Sequence, residues 1–291
     1  MKILLLGKNG QLGWELNRTL QPLGEVFAFD YPDVDMADAR NIREIVRQTK
    51  PDVIYNATAY TDVDKAESEP DLAEAVNVIG PGILAEEARK LNAVLIHYST
   101  DYVFDGKKGS PYIETDIPNP LNVYGLSKLH GEQAIQQVGG VYLIFRTSWL
   151  YSLRGNSFVN KVLQWARTQK TLRIVDDQIG SPTWARMLAE ATTQVIAQSR
   201  GDPSGYLTEK AGLYHLAGKG AASRYTWANN ILDFDPHRYE QIVRELQIAK
   251  TSDFPTTAVR PLFSVLSCSA FEKTFDLMLP SWQKTLLFAL Q

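Results

Sequence analysis

The chain opens on an apolar run, Ile3–Leu6, that ends on Gly7. Leu12, Leu16 and Leu20 then recur at helical spacing, and Val26–Phe29 forms a second apolar run closed by Asp30. Ile42, Ile45 and Val46 mark a second helix and Val53–Tyr55 a third strand. Leu84, Ala88 and Leu91 share a further helix, Val94–His97 forms a fourth strand, and a helix around Leu126–Ile135 leads to a fifth at Tyr142–Phe145. Strands that are apolar throughout and alternate with helices are covered on both faces, so they belong to a parallel sheet. The pattern predicts an α/β fold, with a doubly wound, Rossmann-type sheet in a dinucleotide-binding domain over residues 1–149.

Beyond Trp149 the rhythm loosens. Leu172–Val175 and Leu213–Leu216 read as strands, and Asn156–Thr168, Arg186–Gln198 and Tyr225–Leu232 as helices. Ser199–Gly212, rich in Gly, Pro, Ser and charge, reads as an exposed loop. Residues 150–291 are expected to form a smaller α/β substrate domain, with the chain crossing back into the first domain around 171–200.

Composition narrows the class. With 44% apolar and 22% charged residues the 291-residue chain has globular proportions, not those of a disordered or collagen-like protein. Its net charge of −3 lacks the basic excess of a nucleic-acid binder. No stretch approaches the roughly 20 apolar residues of a membrane span, and the apolar run before Gly7 is too short for a signal peptide; a cytoplasmic protein is expected. Cys268, the single cysteine, reads as a small buried hydrophobe. His97, His130, His215 and His237 are scattered and read as packing or surface residues.

The candidate chemistry begins at Gly7-Lys8-Asn9-Gly10-Gln11-Leu12-Gly13, between the first strand and the first helix. Glycines at that junction permit a tight turn and bring a pyrophosphate onto backbone N–H groups at the helix N-terminus. Asp30, at the end of the second strand, stands where a carboxylate binds the adenosine ribose. It favours NADH by repelling a 2′-phosphate, while Arg40 offers a partner for that phosphate and keeps NADPH in play.

Tyr124 and Lys128 lie four residues apart, on one face of a predicted helix. With 13 tyrosines in the chain, chance competes with meaning, and a second pair, Tyr206 and Lys210, is present. Context separates them. Tyr124 falls between the fourth and fifth strands, where strand ends would present a nicotinamide, whereas Tyr206 lies in the loop-like stretch. A phenol titrates near 10 and donates sluggishly at neutral pH, so a neighbouring ammonium is expected to lower it. A third group, a hydroxyl, is expected at the end of the fourth strand, where Ser99 and Thr100 point in opposite directions.

Together with Asn56-Ala57-Thr58-Ala59, these features resemble the extended short-chain dehydrogenase/reductases. The resemblance is closer to one branch, the dTDP-4-dehydrorhamnose reductase family. It is carried by the glycine loop, Asp62-Val63-Asp64-Lys65-Ala66-Glu67, Tyr98–Gly106, Asn122–Lys128, Arg146-Thr147-Ser148-Trp149 and Asp177-Gln178-Ile179-Gly180-Ser181-Pro182-Thr183. It resumes at Tyr214-His215-Leu216 and Arg260-Pro261. The resemblance implies NAD(P)H-dependent reduction of the 4-keto group of dTDP-4-dehydro-6-deoxy-L-mannose to dTDP-L-rhamnose, the last step of dTDP-rhamnose biosynthesis.

It also implies roles. Thr100 polarises the ketone, Tyr124 donates the proton, and Lys128 tunes Tyr124 while holding the nicotinamide ribose. Gly7, Asn9, Gly10, Gln11, Leu12, Gly13, Asp30, Asp35, Met36, Ala57, Thr58 and Ala59 line the cofactor. Tyr102, Trp149 and Asn156 hold the sugar nucleotide. Two departures stand out. Arg260-Pro261 is followed by Leu-Phe-Ser-Val-Leu, without the usual Asn and Arg of the family. Leu277–Gln291 holds no acid, so the Mg²⁺ that some members bind at a dimer contact is not expected here, although a homodimer is left open. Two competing readings are a non-catalytic regulatory subunit resembling that of methionine adenosyltransferase, and a nucleotide-sugar epimerase or dehydratase using Asp101.

Overall fold

The computed structural model describes residues 1–291. Strand β1 (Lys2–Leu6) leads through the glycine turn into α1 (Gln11–Thr19), and β2 (Glu25–Phe29) is followed by α2 (Ala39–Thr49). After β3 (Val53–Asn56) two short helices, α3 (Val63–Ala66) and α4 (Pro70–Glu74), run through a π-helical turn at Ala75–Ile79 into α5 (Gly80–Leu91). Then come β4 (Val94–Thr100), α6 (Val123–Val138) and β5 (Tyr142–Thr147). The β3 and β4 strands are buried at every position, as their unbroken apolar runs require.

The second half is built of shorter pieces. In order they are β6 (Leu150–Tyr151), α7 (Phe158–Thr168), β7 (Thr171–Val175), β8 (Ile179–Gly180), β9 (Thr183–Trp184), α8 (Ala185–Ala197) and α9 (Pro203–Leu207). They continue with β10 (Gly212–His215), β11 (Ala222–Ser223), α10 (Arg224–Phe234), β12 (Glu245–Ala249), α11 (Ser269–Phe275) and α12 (Trp282–Leu290).

One parallel sheet organises the molecule, in the order β10-β5-β4-β3-β1-β2. Alternate strand residues feed opposite layers. Ile3, Leu5, Val53, Tyr55 and Ile96 pack with Leu12 and Leu16 of α1 and Leu188 of α8. Leu4, Leu6, Ile54 and Leu95 pack with Ile42 and Val46 of α2 and Leu84 of α5. A separate core lies beyond the strand ends, with Tyr151, Val159, Trp227, Ile231, Trp282 and Leu286 at its centre.

The chain re-enters the sheet region at α8, inside the stretch 171–200. Strand β7, within the expected return, pairs instead with β12 in the second region. The return is made by α8, which packs on α1, and by β10, which adds to the sheet beside β5. Phe271 and Phe275 of α11 join the same core. Ser199–Gly212, expected as a loop, contains α9, whose start is capped by the Asp202 carboxylate accepting from Gly205 N–H at 2.9 Å. Two local signals mask that helix, a proline at its first position and a glycine inside it.

Candidate active site

The strand order reverses between β1 and β3, and open α/β sheets bind ligands at that switch point, outside the carboxyl ends of the strands. A cleft of about 800 Å³ opens there, within the range of small-ligand sites.

Its first wall is the glycine turn. Gly7 has φ +88°, and a β-carbon on Gly13 would stand 1.8 Å from the Gly7 carbonyl oxygen, so the turn and α1 meet backbone to backbone. No side chain caps the start of α1, and the first-turn N–H groups of a helix have no partner within it. Asp30 closes the turn from β2: its carboxylate accepts from Asn9 N–H at 2.7 Å and from Tyr31 N–H at 2.8 Å. Gly7, Gly10, Gln11, Leu12, Asp30, Asp35, Met36, Ala57, Thr58 and Ala59 all line the cleft. Asn9 and Gly13 are not on its surface. They support it from behind, Asn9 through Asp30 and Gly13 through Gly7.

The second wall is α6. Asn122 caps it, accepting from Gly125 N–H at 2.7 Å, and its amide donates to the Val259 carbonyl at 2.8 Å. A β-carbon on Gly125 would lie 2.2 Å from the Tyr102 carbonyl oxygen. Glycine at that position therefore lets α6 sit tightly against the turn that follows β4. Tyr124 and Lys128 face the cleft from α6, and Thr100 and Tyr102 face it from the end of β4 and the turn beyond. The Tyr102 and Tyr124 rings meet edge to face at 5.8 Å.

The electrostatics differ from the sequence expectation in one respect. Burial raises the Tyr124 phenol well above its ordinary value; a hydrogen bond with the Thr100 hydroxyl opposes this, and nearby Asp101 and Tyr102 add to it. Lys128 does not contribute. Its ammonium group donates to the Tyr98 carbonyl at 2.7 Å and lies 3.2 Å from His97 Nε2, and burial pulls it down to about 8. The expected lowering of Tyr124 by Lys128 is thus corrected: desolvation dominates, and the phenol is held protonated. His97, read from sequence as packing, is in contact with Lys128.

Asp101 is fully buried beneath Thr100. Its carboxylate accepts from Ser148 Oγ at 2.8 Å, Ser264 Oγ at 2.5 Å and Thr100 Oγ1 at 3.2 Å, and burial raises it. With its oxygens taken up by three hydroxyls, it braces the β4 end. Ser264 explains part of the unusual Leu-Phe-Ser-Val-Leu segment, which holds Asp101 and, through Phe263, bridges to Ile179. Arg260 reaches Asp64 at 2.6 Å.

On the far side stand Trp149, Asn156 and Arg224. Arg224 escaped the sequence reading. It is the first residue of α10, its guanidinium stacks on the Trp149 ring at 3.5 Å, and it forms no ion pair with a carboxylate. Nothing local marks it as functional; the position follows only from β11 pairing with β8. Cys268 is tucked against Ala217, where burial pushes its thiol up to about 12.

A Rossmann-type sheet with a glycine turn, a Tyr–Lys pair on the helix after β4 and a second region closing the cleft defines an extended short-chain dehydrogenase/reductase. Comparisons with known proteins narrow this. The family model described as RmlD substrate binding domain matches residues 1–291, and the chain belongs to that family. The chain is 44% identical over 290 residues to dTDP-4-dehydrorhamnose reductase of Salmonella typhimurium, covering 97% of this chain and 95% of that protein. The crystal structure of a dTDP-4-dehydrorhamnose reductase from Clostridium acetobutylicum is similar with a TM-score of 0.90 and 35% identity, covering 100% of this chain and 98% of that one. That of the Bacillus anthracis dTDP-4-dehydrorhamnose reductase in complex with NADP gives 0.87 and 32%, covering 99% and 98%.

Proposed function

We propose that this protein reduces the 4-keto group of dTDP-4-dehydro-6-deoxy-L-mannose to dTDP-L-rhamnose, using NADPH or NADH. The observation that carries this reading is the convergence of Thr100, Tyr124 and Lys128 at one end of a single cleft whose other end is the glycine turn.

The turn fits a dinucleotide. The uncapped α1 N-terminus suits a pyrophosphate, and the close packing of Gly7 and Gly13 leaves room for it. Asp30 suits the adenosine ribose, Asp35 and Met36 the adenine, and Ala57, Thr58 and Ala59 the inner wall. Bound NAD(P)H supplies a hydride to the carbonyl carbon.

The chain's own residues do the rest. The Tyr124 hydroxyl polarises the ketone oxygen together with Thr100, whose single hydroxyl proton turns from Asp101 to the substrate on binding, and the negative charge that develops there is met by these two hydrogen bonds. The Tyr124 phenol, kept protonated by burial, then donates its proton to that oxygen, a far stronger base than a phenolate. Lys128 orients the ribose of the nicotinamide half. Tyr102, Trp149 and Asn156 hold the sugar, and Arg224, without a carboxylate partner, is placed to neutralise the substrate's diphosphate. The other charged groups lining the cleft are Asp30, Asp35, Asp101 and Lys128, and Lys128 is engaged by the Tyr98 carbonyl, so Arg224 is the guanidinium best placed for the diphosphate.

No helix of the structure is long and apolar enough to cross a membrane. A cytoplasmic location fits a substrate and cofactor that are both soluble nucleotides. A homodimer is checked by sedimentation of the purified protein. The function is tested by steady-state oxidation of NADPH and NADH with the 4-keto sugar nucleotide; cofactor binding without turnover would favour a regulatory role instead.

A further inference from the structure

Behind Lys128 lies a chain of hydrogen bonds whose direction is fixed at one end. The Thr58 backbone N–H can only donate, and it donates to Asn56 Oδ1 at 3.2 Å; the Thr58 hydroxyl donates to the same oxygen at 2.5 Å. The other end of the Asn56 side chain is therefore its NH₂, which can also only donate, and it faces His97 Nδ1 at 3.1 Å. Nδ1 must accept. A neutral imidazole that accepts at Nδ1 carries its proton on Nε2. That Nε2 faces Lys128 Nζ at 3.2 Å, and Nζ also gives a hydrogen to the Tyr98 carbonyl at 2.7 Å. All these groups except Thr58 are buried.

An ammonium has three donors and no lone pair, so it meets the Nε2–H donor to donor. A neutral amine satisfies both neighbours: it donates to Tyr98 and accepts from His97. We propose that Asn56 and His97 are positioning residues for Lys128, the amide locking the imidazole with its proton on Nε2 so that the lysine faces a donor on its inner side and is held ready to lose its own proton.

The surroundings agree. Burial, followed by the charge of Lys128, holds His97 well below its usual value, which keeps the ring neutral. Burial pulls Lys128 down to about 8, with the Glu132 carboxylate opposing. Glu132, one turn along α6, is engaged by Arg146 of β5 at 2.6 and 2.8 Å and by Ser99 of β4. Asp101, in the turn after β4, acts on Tyr124, and the uncharged Asn77 of the π-helical turn is bonded to Ser127. None of these offers Nζ a free carboxylate, so the imidazole is its decisive inner neighbour.

The test is nuclear magnetic resonance of histidine- and lysine-labelled protein between pH 5 and 10, with the His97→Phe variant used to assign the ring. The expected result is a neutral His97 with its proton on Nε2 throughout, and a Lys128 titration near 8. The second arm is the pH dependence of kcat. Activity that needs the ammonium falls as pH rises through the lysine's titration, and His97→Phe should move that limb upward by roughly one unit. A proton on Nδ1, an imidazolium, or an unmoved limb in a folded His97→Phe protein overturns the proposal. The kinetic arm rests on the reductase reading and the resonance arm does not, so failure of one is distinguishable from failure of the other.

Discussion

Two Tyr-x-x-x-Lys pairs occur in this chain, and the fold treats them differently. Tyr124 and Lys128 stand on a 16-residue helix that is capped at Asn122 and packed against the carboxyl end of the sheet. Lys128 is buried and Tyr124 partly so, and their neighbours are the Thr100 hydroxyl, the Tyr98 carbonyl and His97. Tyr206 and Lys210 stand at the junction of α9 and a 3₁₀ turn. There the Lys210 ammonium lies 3.5 Å over the Tyr206 ring, and the Tyr206 hydroxyl donates to Gln198 at 2.6 Å. The same spacing places one pair in the wall of the cleft and the other in a partly buried cation–π contact. What separates them is the wall each faces, not the motif.

Mutation of the first pair should have the largest effects. Tyr124→Phe removes the proton donor and should lower kcat by about 10²–10⁴, with cofactor affinity little changed; fluorescence titration and initial rates separate the two. Lys128→Met should lower kcat and also weaken NADPH by roughly 10- to 150-fold, the value of one charge-assisted hydrogen bond. Arg224→Leu sharpens the contrast between the two ends of the cleft. It should raise KM for the sugar nucleotide by roughly 10- to 150-fold and leave the NADPH dissociation constant unchanged. Asp30→Ala should weaken NADH more than NADPH, and hydrogen exchange at Asn9 should quicken because its N–H loses its acceptor. Tyr206→Phe should leave turnover within about twofold. A fall in turnover with Tyr206→Phe comparable to that of Tyr124→Phe would erase the distinction between the pairs.

The two halves of the molecule were legible to different degrees for a physical reason. In the first, each strand is a continuous apolar run and each functional segment directly follows a strand end, so Gly7–Gly13, Asp30, Ala57–Ala59 and Thr100 could be placed from order alone. Arg224 could not, nor could the serine partners of Asp101. Arg224 reaches the cleft through a two-residue pairing of β11 with β8, and Asp101 is bound by Ser148 and by Ser264, which is 163 residues away. Such contacts carry no periodicity. His97 was hidden in another way: within an apolar strand, a histidine reads as packing until its Nε2 is seen against Lys128. The α9 helix was obscured by its Pro and Gly, and the Tyr124 phenol moved opposite to expectation because its burial, reinforced by Asp101 and Tyr102, outweighs the hydrogen bond with Thr100.

The central claim is that this cleft delivers a hydride to a ketone and a proton to its oxygen. It is tested most directly by incubating the wild-type protein with the 4-keto sugar nucleotide and NADPH carrying deuterium at the transferable position, then examining the product by mass spectrometry and nuclear magnetic resonance. The account predicts dTDP-L-rhamnose with a single deuterium on C4 and one NADPH consumed per product. Unchanged substrate, or an epimerised or dehydrated sugar without deuterium, would contradict it.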